Sequence, residues 1–247
     1  MIKFFRKIRQ KLLAQSKFKS YLFYAIGEIV LVVIGILIAL QINNWNEHNK
    51  LETKKQEYFF QLLEDLKKDK EFCHITIERF KENRRAYKDY VQEFYTTKLS
   101  PEMVYSKLLA LSRPSTNIVF NQSTIETLQN SGEIALIPSN LRNRLIDLRR
   151  SQNRIVNNSR FNNNGKNNIL QKTSLLIGNF ELEGRIEKQQ ELKSFFNLDH
   201  NRKEIILGIE AMHAWKSFSE KTTLTQLEDL LKQIAIIEDL INESIKN

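Results

Sequence analysis

The sequence predicts an all-α protein in which one N-terminal transmembrane helix leads into a long helix and an antiparallel helical bundle. Three observations support this fold class. The 247 residues include only seven glycines and three prolines, which disfavours turn-rich β architectures. One apolar stretch of about 20 residues is long enough to cross a bilayer. The chain after it repeats apolar side chains at the alternating three and four residue spacing of an amphipathic helix.

The transmembrane helix is predicted for residues 21–43. Between Tyr21 and Leu40 the only acidic or basic side chain is Glu28, and a helix of this length spans about 30 Å, the thickness of the hydrocarbon core. A cleaved signal peptide is the alternative. Its apolar region is usually about 7 to 15 residues long and is followed by small residues at a cleavage site. The longer run and the sequence Ile38 to Asn43 instead predict an uncleaved signal anchor.

The distribution of charge predicts the orientation. Residues 1–20 hold seven lysines or arginines and no acid, whereas residues 46–247 hold 31 basic and 28 acidic groups. Most of the net charge of +9 is therefore a topology signal rather than a nucleic-acid surface, and no nucleic-acid partner is expected. The positive flank predicts a cytoplasmic tail over residues 1–20 and an exported domain over residues 44–247. The tail is interpreted as an amphipathic helix on the inner leaflet, with a disordered basic flank as the alternative.

One face of the predicted transmembrane helix carries small residues and a carboxyl group. Gly27, Leu31 and Gly35 follow each other at four-residue spacing, and Glu28 lies seven residues before Gly35. Small residues let a second helix approach closely, and a protonated carboxyl group can donate a hydrogen bond across such a contact. We therefore predict a contact face for a second copy or another membrane protein. Ordinary glycine content beside a snorkelling glutamate is the alternative.

The exported domain is predicted to begin with one long helix, because no proline or glycine occurs between Trp45 and Pro101. The single cysteine, Cys73, excludes an intramolecular disulfide and is interpreted as a buried residue, with pairing between chains as the alternative. The heptad pattern predicts a coiled-coil seam with two polar interruptions: Phe59, Leu63, Leu66, Lys70, Cys73, Ile77, Phe80, Arg84, Tyr87, Val91 and Phe94.

Capping signals divide the rest of the domain into shorter helices. Ser100 and Pro101 begin one that ends near Ser112, as expected of an N-cap followed by a first-turn proline. Residues 122–130 form the next, which Gly132 closes in a left-handed conformation. A helix from residue 139 is expected to end at a turn over residues 162–165. Further helices are predicted over residues 166–180, 202–217 and 224–245, with a short helix and loops in 181–200. No domain boundary is predicted within 46–247.

The sequence contains none of the strong catalytic patterns: no glycine-rich phosphate loop, nucleophile elbow, paired CxxC or HExxH. We therefore assign no catalytic residue, no metal ligand and no cofactor, and predict a protein that is not an enzyme. Two E-x-x-H pairs, Glu71 with His74 and Glu210 with His213, resemble the ligand pairs of di-iron helical bundles. They are interpreted as histidines on helix surfaces or flanks. The other two carboxylates of such a site would be Glu126 and Glu238.

The N-terminal block identifies a family. FFRKIRQKLL, followed by YLFYAIGEIVLVVIGILIALQINNWNE, closely resembles the start of a bacterial membrane-protein family, domain of unknown function 6090. Leu128, Ser131 and Gly132 followed by Leu136 resemble its middle section. Where that family leads us to expect an aromatic pair, this chain has Arg149 and its neighbour Arg150. The resemblance implies an inner-membrane protein with a periplasmic helical domain, and it implies no activity.

Three functions remain open from the sequence. The first is a non-enzymatic envelope protein, anchored in the lipid bilayer, that assembles with itself or with a partner. The contact face and the heptad seam agree best with this function. A periplasmic sensor or ligand-binding module acting through a partner is the second, by analogy with other helical bundles. A metal-dependent bundle enzyme is the third.

Overall fold

A computed structural model describes residues 18–179 and 181–246, so the amphipathic helix predicted in the tail lies outside the described residues. Within them every regular element is helical, which confirms the all-α prediction. The α-helices are α1 (Phe18–Thr96), α2 (Pro101–Ala110), α3 (Ser123–Asn130), α4 (Ser139–Ile177), α5 (Leu182–Ile186), α6 (Gln190–Phe196) and α7 (Arg202–Lys246), with 3-10 turns at Glu133–Leu136 and Leu198–Asn201. The short helices between residues 181 and 200 agree with the prediction.

The chain divides into two compact units, Met1–Glu57 and Tyr58–Asn247. The described part of the first unit, residues 18–57, is entirely helical and belongs to α1. The second unit is a bundle built from the rest of α1 together with α2 to α7. The predicted boundaries at residues 20 and 43 concern the position of a membrane, so they stay predictions.

Contacts between the long helices fix their directions in the bundle. Lys70 contacts Glu238 at 2.6 Å and the Tyr90 hydroxyl donates to Glu210 at 2.7 Å, so α1 and α7 are antiparallel. The Trp215 indole nitrogen donates to the Asn162 carbonyl at 3.0 Å. The Ser151 hydroxyl on α4 donates to Gln233 on α7 at 3.2 Å, and together these bonds make α4 and α7 antiparallel as well. The helix α4 therefore runs in the same direction as α1.

The core-facing row of α1 differs from the predicted seam. The structure buries Leu62 and Asp69 where the sequence pattern favoured Leu63 and Lys70, which are only half-buried, and Phe94 is 50% exposed. The other seam positions up to residue 80 are buried as predicted, so the two rows differ at single positions rather than along the whole helix: Phe59, Leu66, Cys73, Ile77 and Phe80. Asp69 can occupy the core because its carboxylate accepts hydrogen bonds there, which offset part of the cost of burying a charge. The buried α1 residues are Tyr58, Phe59, Leu62, Leu66, Asp69, Cys73, Thr76, Ile77, Phe80 and Tyr90.

Two predicted helix breaks are wrong. The turn expected at residues 162–165 lies inside α4, and the gap expected between residues 217 and 224 lies inside α7. Glycine occurs at position 165 within the helix because α4 and α7 approach closely there. A Cβ atom at this position would lie 2.8 Å from the Trp215 ring. Around the second gap, Glu220 and Thr223 are buried against other helices. Tertiary packing therefore outweighs the weak local preference for a turn at both places.

The segment 111–122, here called the return segment, connects α2 to α3 without regular secondary structure. Its far end is fixed to α1 by two carboxylates. Asp69 accepts a bond from the Asn121 backbone at 2.7 Å and one from Gln152 at 2.6 Å. Asp65 caps α3 by accepting from the Thr124 backbone at 3.2 Å and the Thr124 hydroxyl at 2.7 Å, which satisfies one free N–H group of the first turn. The chain thereby returns along the bundle before α4 begins.

The helix ends predicted for α2 and α3 are confirmed. Ser100 accepts a hydrogen bond from the backbone of Met103 and Pro101 begins α2. After α3, Gly132 has a φ of +76°, the left-handed conformation in which glycine ends a helix without strain.

Candidate functional site

The predicted contact face lies on the part of α1 in the first unit. Nothing lies within 4 Å of the positions where Gly27 and Gly35 would carry a Cβ atom, and Leu31 is 69% exposed. Glu28 is half-buried. Among the described residues, the space beside these two glycines is thus unoccupied, and the role of the face as a contact surface stays a prediction.

The apolar side chains around this face are also uncovered. Among the described residues α1 alone contains a stretch long and apolar enough to cross a membrane, and none of that stretch is buried inside the protein. A core helix of a soluble domain would bury such side chains. The exposed residues between positions 22 and 42 include Leu22, Phe23, Ile26, Ile29, Val30, Leu31, Val32, Val33, Ile34, Ile36, Leu37, Ile38, Leu40 and Ile42.

The two E-x-x-H pairs are not brought together. Glu71 and His74 are both exposed on α1, whereas His213 is buried and only 3% exposed. The carboxylates nominated with them form ion pairs elsewhere: Glu238 contacts Lys70, and Glu126 contacts Arg149 at 2.9 Å. No group of three or more potential ligands that could hold a metal ion occurs in the part of the chain that the structure describes.

Arg149 lies where the family resemblance led us to expect an aromatic residue, and its side chain bonds two helices to each other. Its guanidinium group donates to Glu126 at 2.9 Å and also to Gln129. Both acceptors belong to α3, so the side chain joins α4 to that short helix.

The largest set of buried charges surrounds the end of α2. The Lys216 ammonium group donates to the Ser112 carbonyl at 2.5 Å, and Lys166 donates to the Arg113 carbonyl at 2.7 Å. Lys216 also lies 3.5 Å from the carboxylate of Glu220. All three ionic side chains are more than nine-tenths buried. Both carbonyls belong to the irregular segment directly after α2, so the two lysines fix the start of that segment to α4 and α7 by charge-assisted hydrogen bonds.

His213 belongs to the same arrangement. Its Nε2 atom lies 3.1 Å from the Leu108 carbonyl, and because a carbonyl only accepts, Nε2 carries the proton and Nδ1 is left as an acceptor. Burial lowers the pKa of His213 to about 4, and the positive charge of Lys216 acts in the same direction. The ring is therefore neutral in the folded domain at neutral pH.

Burial controls the other titratable groups of the cluster as well. It lowers the pKa of Lys216 and of Lys166, and it raises the pKa of Glu220. For Glu220 the charge of Lys216 and a hydrogen bond from Asn83 at 2.9 Å oppose that change. Each charge in the cluster is thus kept in a low-dielectric environment by a specific partner.

Glu210 lies next to this cluster and binds two phenols. The Tyr87 hydroxyl donates to it at 2.8 Å and the Tyr90 hydroxyl at 2.7 Å. Burial raises the pKa of both tyrosines, and the acceptor carboxylate raises them further. The Tyr87 ring also stacks on His213, with centroids 6.3 Å apart. Glu210 and His213 are therefore close to each other as the sequence spacing indicated, but both bind neighbouring helices.

A cavity of about 280 Å³ opens beside these residues, lined among others by Tyr87, His213, Lys216 and Glu220. Sequence reasoning missed Lys166, Lys216 and Glu220 because lysine and glutamate on a helix usually face solvent. The available signal was their spacing. Glu210, His213, Lys216 and Glu220 recur at three and four residues, which places them in one stripe of α7.

Comparison with known proteins identifies a family and nothing closer. No curated protein and no solved structure matches the chain. Residues 28–198 match a family described as a family of unknown function, DUF6090. That match covers more than half of the chain and includes the apolar stretch of α1 from residue 28 onward, the return segment and α4. The chain therefore belongs to the DUF6090 family.

Proposed function

We propose that this protein is a single-pass protein of the bacterial inner membrane with a non-enzymatic role in envelope assembly or protein interaction. In this proposal residues 1–20 are cytoplasmic, residues 21–43 span the bilayer and residues 44–247 form a periplasmic domain. The single observation that carries it is the apolar stretch of α1, none of which is buried inside the protein. Exposing that many apolar side chains to water would be very unfavourable, whereas lipid accommodates them.

The contact face gives the anchor a second role. Gly27 and Gly35 leave open space beside the helix, so a second helix can approach its backbone closely there. Glu28 lies on the same side and supplies a carboxyl group that hydrogen-bonds across the contact. We infer that a second copy of this chain, or another membrane protein, packs on Gly27, Glu28, Leu31 and Gly35.

The size of the assembly in detergent tests this role. The full-length protein, studied by sedimentation in micelles, is expected to dimerise, and Gly35→Leu is expected to raise the dissociation constant about tenfold or more by holding the helices apart. Val33→Leu is the matched control, because it adds bulk about 200° around the helix from position 35. A strictly monomeric protein, or equal effects of both substitutions, would contradict self-assembly through this face.

Cysteine labelling tests the orientation. Cys73 is fully buried and burial raises the pKa of its thiol to about 12, so it gives little background. A membrane-impermeant maleimide is expected to label Asn49→Cys, and to label Gln10→Cys only after the inner membrane is opened. The reverse pattern would refute the proposed topology.

A second candidate function, ligand binding, is favoured by an open groove on the domain. The groove has a volume of about 820 Å³, within the range of small-molecule sites, and Phe94, Val104, Ile206 and Leu207 supply its apolar lining. Native mass spectrometry of the full-length protein is expected to show a retained apolar molecule that Leu207→Asp releases. Identical spectra for the two proteins would remove this candidate.

A further inference from the structure

The helix α4 contains an unusual concentration of asparagine. Of the 23 asparagines in the chain, eight lie within residues 151–168, and all eight are helical. Asparagine is a poor helix former because its amide group competes for backbone hydrogen bonds. A helix with so many asparagines contradicts the helix propensity of its own residues, and such exceptions tend to mark functional sites.

Some of these asparagines line a cleft between α4 and the return segment. The cleft has a volume of about 410 Å³. Asn164 and Asn167 are exposed there, and their amide groups make no hydrogen bond to any residue that the structure describes. Asn163 donates to the Thr116 carbonyl at 3.3 Å and so ties the two walls together. The lining is Ser115, Asn117, Ile118, Val119, Val156, Ser159, Arg160, Asn163, Asn164 and Asn167, with Arg160 as its only charged side chain.

The opposite wall offers unpaired main-chain groups. Asn117 and Val119 are exposed while Ile118 between them is buried, the alternation that an extended chain produces. The backbone N–H and C=O groups of these three residues make no hydrogen bond within the described chain. They form a short free edge of the kind to which another extended chain can be added.

The two walls together suit one class of ligand. We propose that this cleft binds an extended, uncharged polypeptide segment through its main chain. One edge of the segment pairs with the backbone of residues 117–119, and its other edge meets the amide side chains of α4. An asparagine amide offers one carbonyl acceptor and two N–H donors, which match the N–H and C=O groups of a peptide.

The spacing of the amides fits this arrangement. Asn163 and Asn167 are one helical turn apart, a rise of about 6 Å, and one edge of an extended peptide presents its main-chain groups about every 6.7 Å. Recognition of this kind is tolerant of sequence, because the side chains of the segment contribute little. The proposal is independent of the contact face in the membrane helix.

Peptide titration tests the proposal. The probe is a blocked heptapeptide of alternating serine and valine, titrated into the full-length protein in lipid nanodiscs and followed calorimetrically. Saturable binding is expected. The same peptide methylated on alternate backbone nitrogens is expected not to bind, because methylation removes main-chain donors and leaves the side chains unchanged. Equal binding of the two peptides, or binding of neither, would overturn main-chain recognition. A trimer of N-acetylglucosamine that binds where the peptide does not would overturn it in favour of a saccharide site.

A pair of double variants locates the site. Asn164→Ala with Asn167→Ala removes two amides that have no hydrogen-bond partner among the described residues, and binding is expected to weaken about tenfold or more through the lost hydrogen bonds. Asn157→Ala with Asn168→Ala is the control, since these exposed residues of the same helix do not line the cleft. Both variants are expected to raise the thermal midpoint, because alanine favours the helix. Equal loss of binding in both variants would contradict the proposed site.

Discussion

Acid is expected to destabilise the helical domain through His213. Burial holds the pKa of this ring near 4 in the folded domain, whereas an unfolded chain has a histidine pKa of about 6.5. Between these values the unfolded chain binds a proton that the folded domain excludes, so stability is lost as the pH falls. The two pKa values correspond to about 2 kcal/mol lost by about pH 5 and about 3 kcal/mol once the pH is below both.

The comparison that isolates this effect is between the wild-type protein and His213→Gln. Glutamine keeps an N–H donor for the Leu108 carbonyl and does not titrate. The pH dependence of stability in the wild-type protein alone would not isolate the histidine, because burial also raises the pKa of Asp69 to about 6. That change stabilises the folded domain as the pH falls below about 6, so it opposes the histidine. Asp69 is present in both proteins, and its contribution cancels in their difference.

Urea unfolding of the full-length protein in detergent measures this difference. With Trp45→Phe in both proteins, Trp215 is the only remaining tryptophan and reports on the domain. Between about pH 7.5 and about pH 5, the free energy of unfolding of the wild-type protein is expected to fall relative to the variant by about 2 kcal/mol. Two profiles that stay parallel over this range would refute the assignment of a neutral, buried His213.

Two further predictions concern the packing of α7. Gly208→Ala is expected to lower the thermal midpoint, because the added methyl group meets Thr173 and overpacking costs about 1–3 kcal/mol, more than the gain of about 1 kcal/mol in helix propensity. Gly184→Ala, which enters open space, should not lower it, and the same loss in both would show that the contact is unimportant. Lys216→Met is expected to cost about 3 kcal/mol in chemical denaturation, because the buried Glu220 carboxylate loses its cation and keeps only the hydrogen bond from Asn83. Adding Glu220→Leu should restore most of that loss, whereas additive losses would show that the two side chains are not coupled.

The features that depend only on residues close together along the chain were predictable from the sequence. The absence of glycine and proline indicated the long α1, and Ser100 and Gly132 marked helix ends that the structure confirms. The apolar stretch from residue 22 was recognisable by length and composition alone. Each of these properties depends on spacing over a few residues, so periodicity and capping chemistry are sufficient to detect it.

The candidate sites were only partly predictable. The E-x-x-H spacing correctly placed Glu210 and His213 on one helix face, yet their partners are Tyr87, Tyr90 and the Leu108 carbonyl. Those partners are about a hundred residues away along the chain. No local pattern carries information about such contacts, so a ligand pair and a pair of structural hydrogen bonds look the same in the sequence.

Tertiary structure alone decided where α1 turns a polar side chain towards the core and where helices continue through a predicted break. The sequence by itself determined an all-α chain with one exposed apolar helix, because propensity and hydrophobic length are local. It favoured Leu63 over Leu62 and a turn at Gly165, and packing reversed both. Asp69 is buried because Asn121 and Gln152 bind it, and Gly165 is helical because Trp215 lies against it. These outcomes depend on groups that meet only after folding, when a buried hydrogen bond or close contact outweighs a preference of less than about 1 kcal/mol.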